Sequence, residues 1–266
     1  MPSSRSPRRS GRRHPLMGGL LLVIGLFVTG GAYAAASTGI AHAQDAPVSQ
    51  EALVEEGEKL FLANCASCHG MNSEGSVAGP SLIGVGALSV DFQVGTGRMP
   101  MAASGPQAEV KPVQFTQPQI DAMAAWVASL APGPGMHDPK YYAGDGDVAN
   151  GAELFRINCA MCHNVAGAGG ALTEGKYAPH LRDLQPIHVY GAMVTGPQNM
   201  PVFSDLNLSP EEKNDVITYL KYLDENPSVG GFSLGSLGPV SEGLFIWLIG
   251  LGGLIAVAVW LTARSN

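Results

Sequence analysis

Two long uncharged apolar stretches frame this chain of 266 residues, and between them polar and apolar residues alternate in shorter, helix-like patterns. The first stretch covers residues 17–36 and follows an arginine-rich segment. About 20 apolar residues suffice to span a bilayer as a helix, and a positive flank before them is typical of signal peptides and membrane anchors. The pattern therefore predicts a basic cytoplasmic tail over 1–16 and an N-terminal hydrophobic helix over 17–36.

Whether that helix is kept in the mature protein depends on a candidate cleavage site. Ala41 and Ala43 form the small-x-small pattern that precedes such a site. The pattern lies far beyond the end of the apolar core, and the apolar segment is long for a signal peptide. We therefore favour a retained helix, with a cleaved signal as the alternative.

The second apolar stretch covers residues 243–262 and also carries no charge. Trp247 and Trp260 lie near its two ends, where tryptophans are common at the membrane surface. Arg264 follows, and cytoplasmic flanks of membrane helices are enriched in basic residues. The pattern predicts a C-terminal transmembrane helix whose end faces the cytoplasm.

An internal repeat with a shift of 94 residues fills the space between the two stretches. Residues 57–65 lie over 151–159 and share a Gly, a Leu-Phe pair, an Asn and a Cys. Each copy later carries a Met-Pro pair and closes with a helical pattern that begins at a proline. Ser209, three residues before Glu212, predicts a capping box at the start of the second closing helix. The repeat predicts two tandem domains, over 50–131 and 150–225, with linkers rich in Gly and Pro over 132–149 and 226–242.

All four cysteines fall inside two copies of the pattern C-x-x-C-H. The residues are Cys65, Cys68 and His69 in the first copy, and Cys159, Cys162 and His163 in the second. This pattern is the attachment site of c-type haem. On a helix, positions i, i+3 and i+4 share one face, so two thioether bonds and an imidazole can act on one porphyrin. The sequence predicts two covalently bound haem c groups, with His69 and His163 as iron ligands.

A methionine in each Met-Pro pair is the expected second ligand of each iron. A low-spin iron used for electron transfer needs a sixth ligand, and a Met/His pair raises the reduction potential of the haem. Met99 and Met200 occupy matching places in the two repeats, and the following proline keeps each segment out of a helix. The competing ligands are Met101 in the first domain and Met193, His180 and His188 in the second.

Three further residues are candidates for contacts around the haems. A ligating histidine is usually oriented through its other ring nitrogen, often by a backbone carbonyl. Pro80 and Pro179, which follow the two motifs, are candidates for that carbonyl. Arg98, next to Met99, is a candidate for a haem propionate or for solvated surface.

The distribution of charge along the chain limits the kinds of partner that the protein can bind. The net charge is −7, but five of the 15 basic residues lie within the first 13 positions. The remainder, with 10 basic and 22 acidic residues, carries −12. An acidic body argues against nucleic acid as a partner and favours proteins with basic patches.

With these motifs placed, the chain resembles the cytochrome c family twice over, and its whole plan is similar to the dihaem cytochrome c subunit of the actinobacterial cytochrome bcc complex. The resemblance implies an all-α fold of two tandem cytochrome c domains between the two hydrophobic helices. It further implies electron transfer from cytochrome b and Rieske iron–sulfur subunits to the copper-centre subunit of a cytochrome c oxidase. Such a protein lies in the plasma membrane, in contact with lipid, with its haems on the extracytoplasmic side.

Three other functions share some of these features. One is an independent membrane-anchored dihaem carrier, which differs only in its partners. Another is a haem sensor with an open sixth position on the iron. The third is a thiol oxidoreductase that uses each C-x-x-C as a redox pair, although the histidine after each motif argues against it.

Overall fold

The computed structural model describes residues 15–44, 49–103, 105–226, 234 and 239–264. The chain divides into two compact units, Met1–Ser49 and Gln50–Asn266. Most of the predicted basic tail and most of the predicted second linker lie outside the described residues.

The first unit contains one long helix, α1, over Pro15–Gln44. Its span Leu16–Ala35 has a mean hydropathy of 1.9, and none of that span is buried. The predicted hydrophobic helix over 17–36 is therefore present, and it continues to Gln44. By length and composition it can cross a membrane.

The second unit begins with two copies of one helical arrangement, as the repeat predicts. In each copy a long helix leads into a four-residue helix with the haem motif, and a middle helix and a closing helix follow. The first copy comprises α2 (Gln50–Asn64), α3 (Ala66–His69), α4 (Gly86–Gly95) and α5 (Gln117–Leu130). The second comprises α6 (Val148–Asn158), α7 (Ala160–His163), α8 (Pro186–Thr195) and α9 (Pro210–Glu225).

Strand structure is confined, within the described residues, to one short hairpin in the second copy. Its strands, β1 (Gly170–Ala171) and β2 (Tyr177–Ala178), pair antiparallel. The expected all-α fold is confirmed, and the short hairpin is an addition to it.

The long and closing helices of each copy cross where the long helix carries a glycine. A Cβ atom at Gly57 would lie less than 3.0 Å from the carbonyl oxygen of Ala122, and one at Gly151 would lie equally close to that of Asp215. Next to the first crossing, the rings of Phe61 and Trp126 lie 4.3 Å apart between centroids. Glycine at these positions lets two helix backbones approach to direct contact.

Capping fixes where the closing helices begin. In α9 the Ser209 hydroxyl accepts a hydrogen bond from the Glu212 amide at 3.2 Å, and the Glu212 carboxylate accepts one from the Ser209 amide at 2.8 Å. The predicted capping box is therefore confirmed. The first closing helix begins one residue before Pro118, because Thr116 and Gln119 form a second capping box there.

The two copies share a hydrophobic core, which the description as tandem domains did not anticipate. Helix α4 of the first copy packs against α8 of the second. Leu88 of α4 is completely buried within the core cluster of the second copy. Gly191 of α8 faces Leu88 at this contact, and a Cβ there would lie 3.5 Å from the Leu88 side chain.

The predicted first linker is packed along this interface. The Pro134 carbonyl accepts a hydrogen bond from the Leu88 amide at 3.1 Å. A 3-10 helix follows over Pro139–Tyr142, and Tyr141 and Tyr142 pack against the second core. The segment joins the two copies and also covers their contact.

The C-terminal hydrophobic segment is helical throughout. It comprises α10 (Pro239–Phe245), a π-helical stretch over Ile246–Leu251 and α11 (Gly252–Ala263). The span Val240–Ala263 has a mean hydropathy of 2.5, and none of it is buried. The predicted helix over 243–262 lies within this span, which is long enough to cross a membrane.

Replacing Leu88 tests the shared core. We expect Leu88→Ala to lower the free energy of unfolding by about 2–5 kcal/mol, because it leaves a cavity between the copies. Denaturant unfolding of the full chain in detergent, followed by haem absorbance, measures the change. Ile83→Ala is the matched control, since Ile83 is 52% exposed and its loss should have little effect. Equal stability of the two variants would contradict a shared core.

Candidate haem sites

Each C-x-x-C-H motif lies where the backbone turns from a long helix into a short one. Cys65 separates α2 from α3, and Cys159 separates α6 from α7. The amides of Cys68 and His69 both donate to the Cys65 carbonyl, at 3.1 and 3.0 Å. This tight turn places the residues of the motif close together, as haem attachment requires.

Both motif histidines are held by the predicted proline carbonyls. His69 Nδ1 lies 2.7 Å from the Pro80 oxygen, and His163 Nδ1 lies 2.9 Å from the Pro179 oxygen. A carbonyl only accepts, so each Nδ1 carries the proton and each Nε2 keeps a free lone pair. Burial lowers the pKa of His163, and this favours the neutral ring. Both imidazoles are thus oriented and protonated as an iron ligand should be.

A cavity of about 440 Å³ lies beside the second motif. Its volume is within the range of roughly 300–1,000 Å³ that is typical of cofactor sites. Cys159, Cys162, His163 and Met200 all line it. The predicted attachment and ligand residues of the second haem therefore meet in one space, and these donors suit a haem c.

The rest of the wall is mainly apolar. Six of the side chains that form it are Phe155, Leu181, Val189, Met193, Val216 and Leu220. An apolar wall excludes water from the face of a porphyrin and favours its burial.

The competing iron ligands of the second domain differ in their surroundings. His180 is exposed, and its Nδ1 accepts a hydrogen bond from the Arg182 amide at 3.1 Å. The His188 ring faces Asp91 of α4 at 3.8 Å. Met193 is buried and lines the same cavity as Met200, so it remains the alternative. Ligation by Met200 stays a prediction that these surroundings support.

In the first domain the two candidate methionines are also distinguished. Met99 is partly buried and packs against the same core cluster as Cys65. Met101 is 36% exposed. The packing favours Met99 as the iron ligand, and its ligation likewise stays a prediction.

The first thiol of each motif does not have the property that a redox-active pair requires. Such a pair needs an accessible thiolate with a lowered pKa. Here burial raises the pKa of the Cys65 thiol to about 11 and that of Cys159 to about 12. This direction disfavours the thiol oxidoreductase alternative.

Sequence reasoning missed the part that the first domain plays in the second cavity. Arg98, Gln107 and Lys111, all from the first copy, line it. Gln107 also pairs with the backbone of Tyr177, donating to its oxygen at 3.0 Å and accepting from its amide at 2.9 Å. The sequence held one signal of this difference between the copies. The residue before the Met-Pro pair is the cationic Arg98 in the first copy and the uncharged Asn199 in the second.

Outside the haem motifs, the described part of the chain offers no other metal site. It contains no group of three or more His, Cys, Asp or Glu side chains that could hold a metal ion.

Comparison with known protein families separates the two copies. Residues 54–131 match the family model for cytochrome c. Residues 146–220 match the model for subunit III of cbb3-type cytochrome c oxidase.

Comparison with curated proteins finds relatives over nearly the full chain. A cytochrome bc1 complex cytochrome c subunit of Corynebacterium efficiens is 47% identical, over 95% of this chain and 90% of its own length. The subunit of the same name in Mycobacterium tuberculosis is 45% identical, over 99% of this chain and 95% of its own. A cbb3-type cytochrome c oxidase subunit FixP of Sinorhizobium medicae is 31% identical over 54% of this chain and 49% of its own.

These matches confirm the cofactor prediction. Two cytochrome c domains, each with its own C-x-x-C-H motif, bind two covalently attached haem c groups.

Proposed function

The chain belongs to the family of cytochrome bc1 complex cytochrome c subunits, and from this we propose that it relays electrons within a respiratory membrane. The electrons enter from the Rieske iron–sulfur and cytochrome b subunits of a quinol–cytochrome c reductase, and they leave to the copper-centre subunit of a cytochrome c oxidase. Quinol oxidation belongs to the partner subunits. This chain is the electron-transfer subunit and has no catalytic site beyond its haems.

The shared core is the observation that carries the relay. Leu88 of the first copy lies inside the core of the second, so the two haem domains are packed as one body. Two haems in fixed positions pass electrons at a rate that no domain movement limits. A freely jointed pair of domains would lack this property.

The proposed ligands suit a relay between a quinol and an oxidase. Cys65, Cys68, His69 and Met99 hold the first haem, and Cys159, Cys162, His163 and Met200 hold the second. A Met/His pair raises the potential of each haem above that of a His/His pair. Higher potentials make both haems suitable acceptors from a Rieske centre.

The membrane arrangement follows from the two apolar helices. The arginine-rich N-terminus and Arg264 both indicate cytoplasmic ends. If both helices span the plasma membrane with cytoplasmic ends, the stretch of chain that joins them, which carries the haem domains, lies on the extracytoplasmic side. The acidic part of the chain is then on the side of the membrane where the Rieske and oxidase domains contact it.

Likeness to an oxidase subunit supports the downstream partner. The second domain matches the cbb3-type oxidase subunit III model, and FixP of Sinorhizobium medicae is named as an oxidase subunit. The second domain therefore resembles cytochromes that lie next to an oxidase.

Purification from native membranes tests the proposal. We expect this chain, tagged at its C-terminus and extracted in a mild detergent, to bring down cytochrome b, Rieske and oxidase subunits in stoichiometric amounts. The preparation should consume oxygen when a quinol is added. A tagged membrane protein of similar abundance is the control for carry-over. A dihaem protein isolated alone would overturn the proposal in favour of the independent carrier.

A further inference from the structure

We propose that the first domain completes the binding site of the second haem, with Arg98 and Lys111 holding its propionates. The two side chains lie in the wall of the cavity that His163 and Met200 also line. The second haem would then be bound by both domains, although its covalent bonds come from one.

The cationic side chains around this cavity are the first observation. Among the described residues that line it, the only arginine or lysine side chains are Arg98 and Lys111. A haem carries two propionate carboxylates, and a partly buried carboxylate requires donors or a cation. The second domain places no Lys or Arg of its described part in that wall.

Two basic residues of the second domain are engaged in ion pairs of their own. Arg182 is paired with Asp224, and Lys213 lies 2.7 Å from Asp205. These two pairs hold the closing helix to neighbouring loops. Of the described residues, the cations that line the cavity come from the first domain.

Arg98 lacks an anion within the part of the chain that the structure describes. Its guanidinium is partly buried and lies 4.8 Å from the centre of the Phe92 ring. No carboxylate of the described residues forms an ion pair with it, and burial lowers its pKa. A desolvated cation without an anionic partner is costly, and a propionate in the cavity would lower that cost.

Arg98 is also turned toward the second domain. Its electrostatic neighbours are Tyr177 and His188, both in the second copy. The next residue, Met99, packs into the core of the first copy. Adjacent residues of one loop thus serve different haems, and the loop links the two sites.

Lys111 is held in place by the same loop. Its ammonium donates to the carbonyl oxygen of Pro100, which leaves two of its three donors free. A Cβ atom at Gly97 would collide with the backbone of Lys111, so the two segments lie in direct contact. The cavity wall is therefore built with both cations already positioned.

Loss of the charge should lower the potential of the second haem alone. Reduction adds a negative charge to the haem, and a nearby cation stabilises that state. We expect Arg98→Gln to shift the second midpoint downward by about a tenfold change in the reduction equilibrium, which is about 59 mV for one electron. Lys111→Gln should shift it less, in the same direction. The first midpoint should stay unchanged.

Potentiometric titration of the full chain in detergent, with both haems attached, measures these shifts. Met99→His and Met200→His each mark one midpoint and so assign the two. Lys59→Gln is the matched control, because Lys59 is exposed on α2 and lies outside the cavity wall. A shift of the first haem by Arg98→Gln would overturn the proposal, as would a shift no larger than that of Lys59→Gln.

A second readout separates a propionate contact from a merely structural role. Without Arg98 the propionate has a raised pKa, so reduction takes up a proton and the second midpoint falls as pH rises through neutrality. His180, Asp183 and His188 also line the cavity, and Arg98 helps to lower the pKa of His188, so the pH dependence of Arg98→Gln is compared in a His188→Gln background. Arg98→Lys keeps the charge and should restore most of the potential. If neither Arg98→Gln nor Arg98→Lys retained the second haem, or if no new pH dependence appeared, the proposal would fail.

Discussion

Adding one methyl group at Gly151 is expected to lower the free energy of unfolding by about 3 kcal/mol. In Gly151→Ala the new Cβ would overlap the carbonyl oxygen of Asp215 on the crossing helix. The obstacle is backbone, which cannot rotate away as a side chain can. Gly-to-Ala replacement in an unobstructed helix stabilises it by up to about 1 kcal/mol, so the expected sign is the reverse of helix propensity.

Gly57→Ala should have an effect of the same size, because its Cβ would meet the Ala122 carbonyl at the equivalent crossing. Denaturant unfolding of the full chain, followed at the haem absorption band, compares both variants with the parent. Gly135→Ala is the control, since nothing lies within 4 Å of a Cβ there. A Gly151→Ala protein as stable as the parent would show that the helices can separate without cost, contrary to the close crossing.

Replacing Met200 by histidine is expected to lower the midpoint potential of one haem by on the order of 0.1 V. Axial ligands set haem potentials over a range of about 0.8 V, and His/His pairs lie below Met/His pairs. The second haem would then be harder to reduce, so quinol-driven oxygen consumption of the purified complex should fall sharply. The midpoint of the first haem should stay unchanged.

The competing ligands provide the controls for this prediction. Met193→Leu and Met101→Leu should leave both midpoints in place. Carbon monoxide should bind the reduced Met200→Ala protein but not the parent, because only the variant has an open position on the iron. If the parent bound carbon monoxide at both haems, Met ligation would be wrong and the haem-sensor function would gain support.

Much of this protein could be predicted from short-range patterns. The C-x-x-C-H spacing is a local property, because residues three and four apart share a helical face whatever surrounds them. The capping box at Ser209 and the carbonyls of Pro80 and Pro179 were found for the same reason. Each depends on residues close in sequence or on a matching position in the other repeat.

Contacts between the repeats could not be found in this way. Leu88 has the sequence surroundings of an ordinary core residue of its own domain, yet it is buried in the other one. The first linker has the Gly and Pro content of a free spacer, but Pro134 and Tyr141 pack against the helices it joins. The amino-acid composition of a segment indicates its local flexibility, but it does not show which other parts of the chain the segment packs against.

The sequence by itself determined the cofactors, the repeat and the two hydrophobic helices, and it predicted the residues that ligate iron. Only the tertiary structure decided that the two domains share a core and that Arg98 and Lys111 of the first line the haem cavity of the second. The physical reason is the distance along the chain between the residues that each property depends on. Haem attachment depends on residues that are neighbours in the sequence. The charge around a haem depends instead on surfaces that the fold brings together from distant parts of the chain.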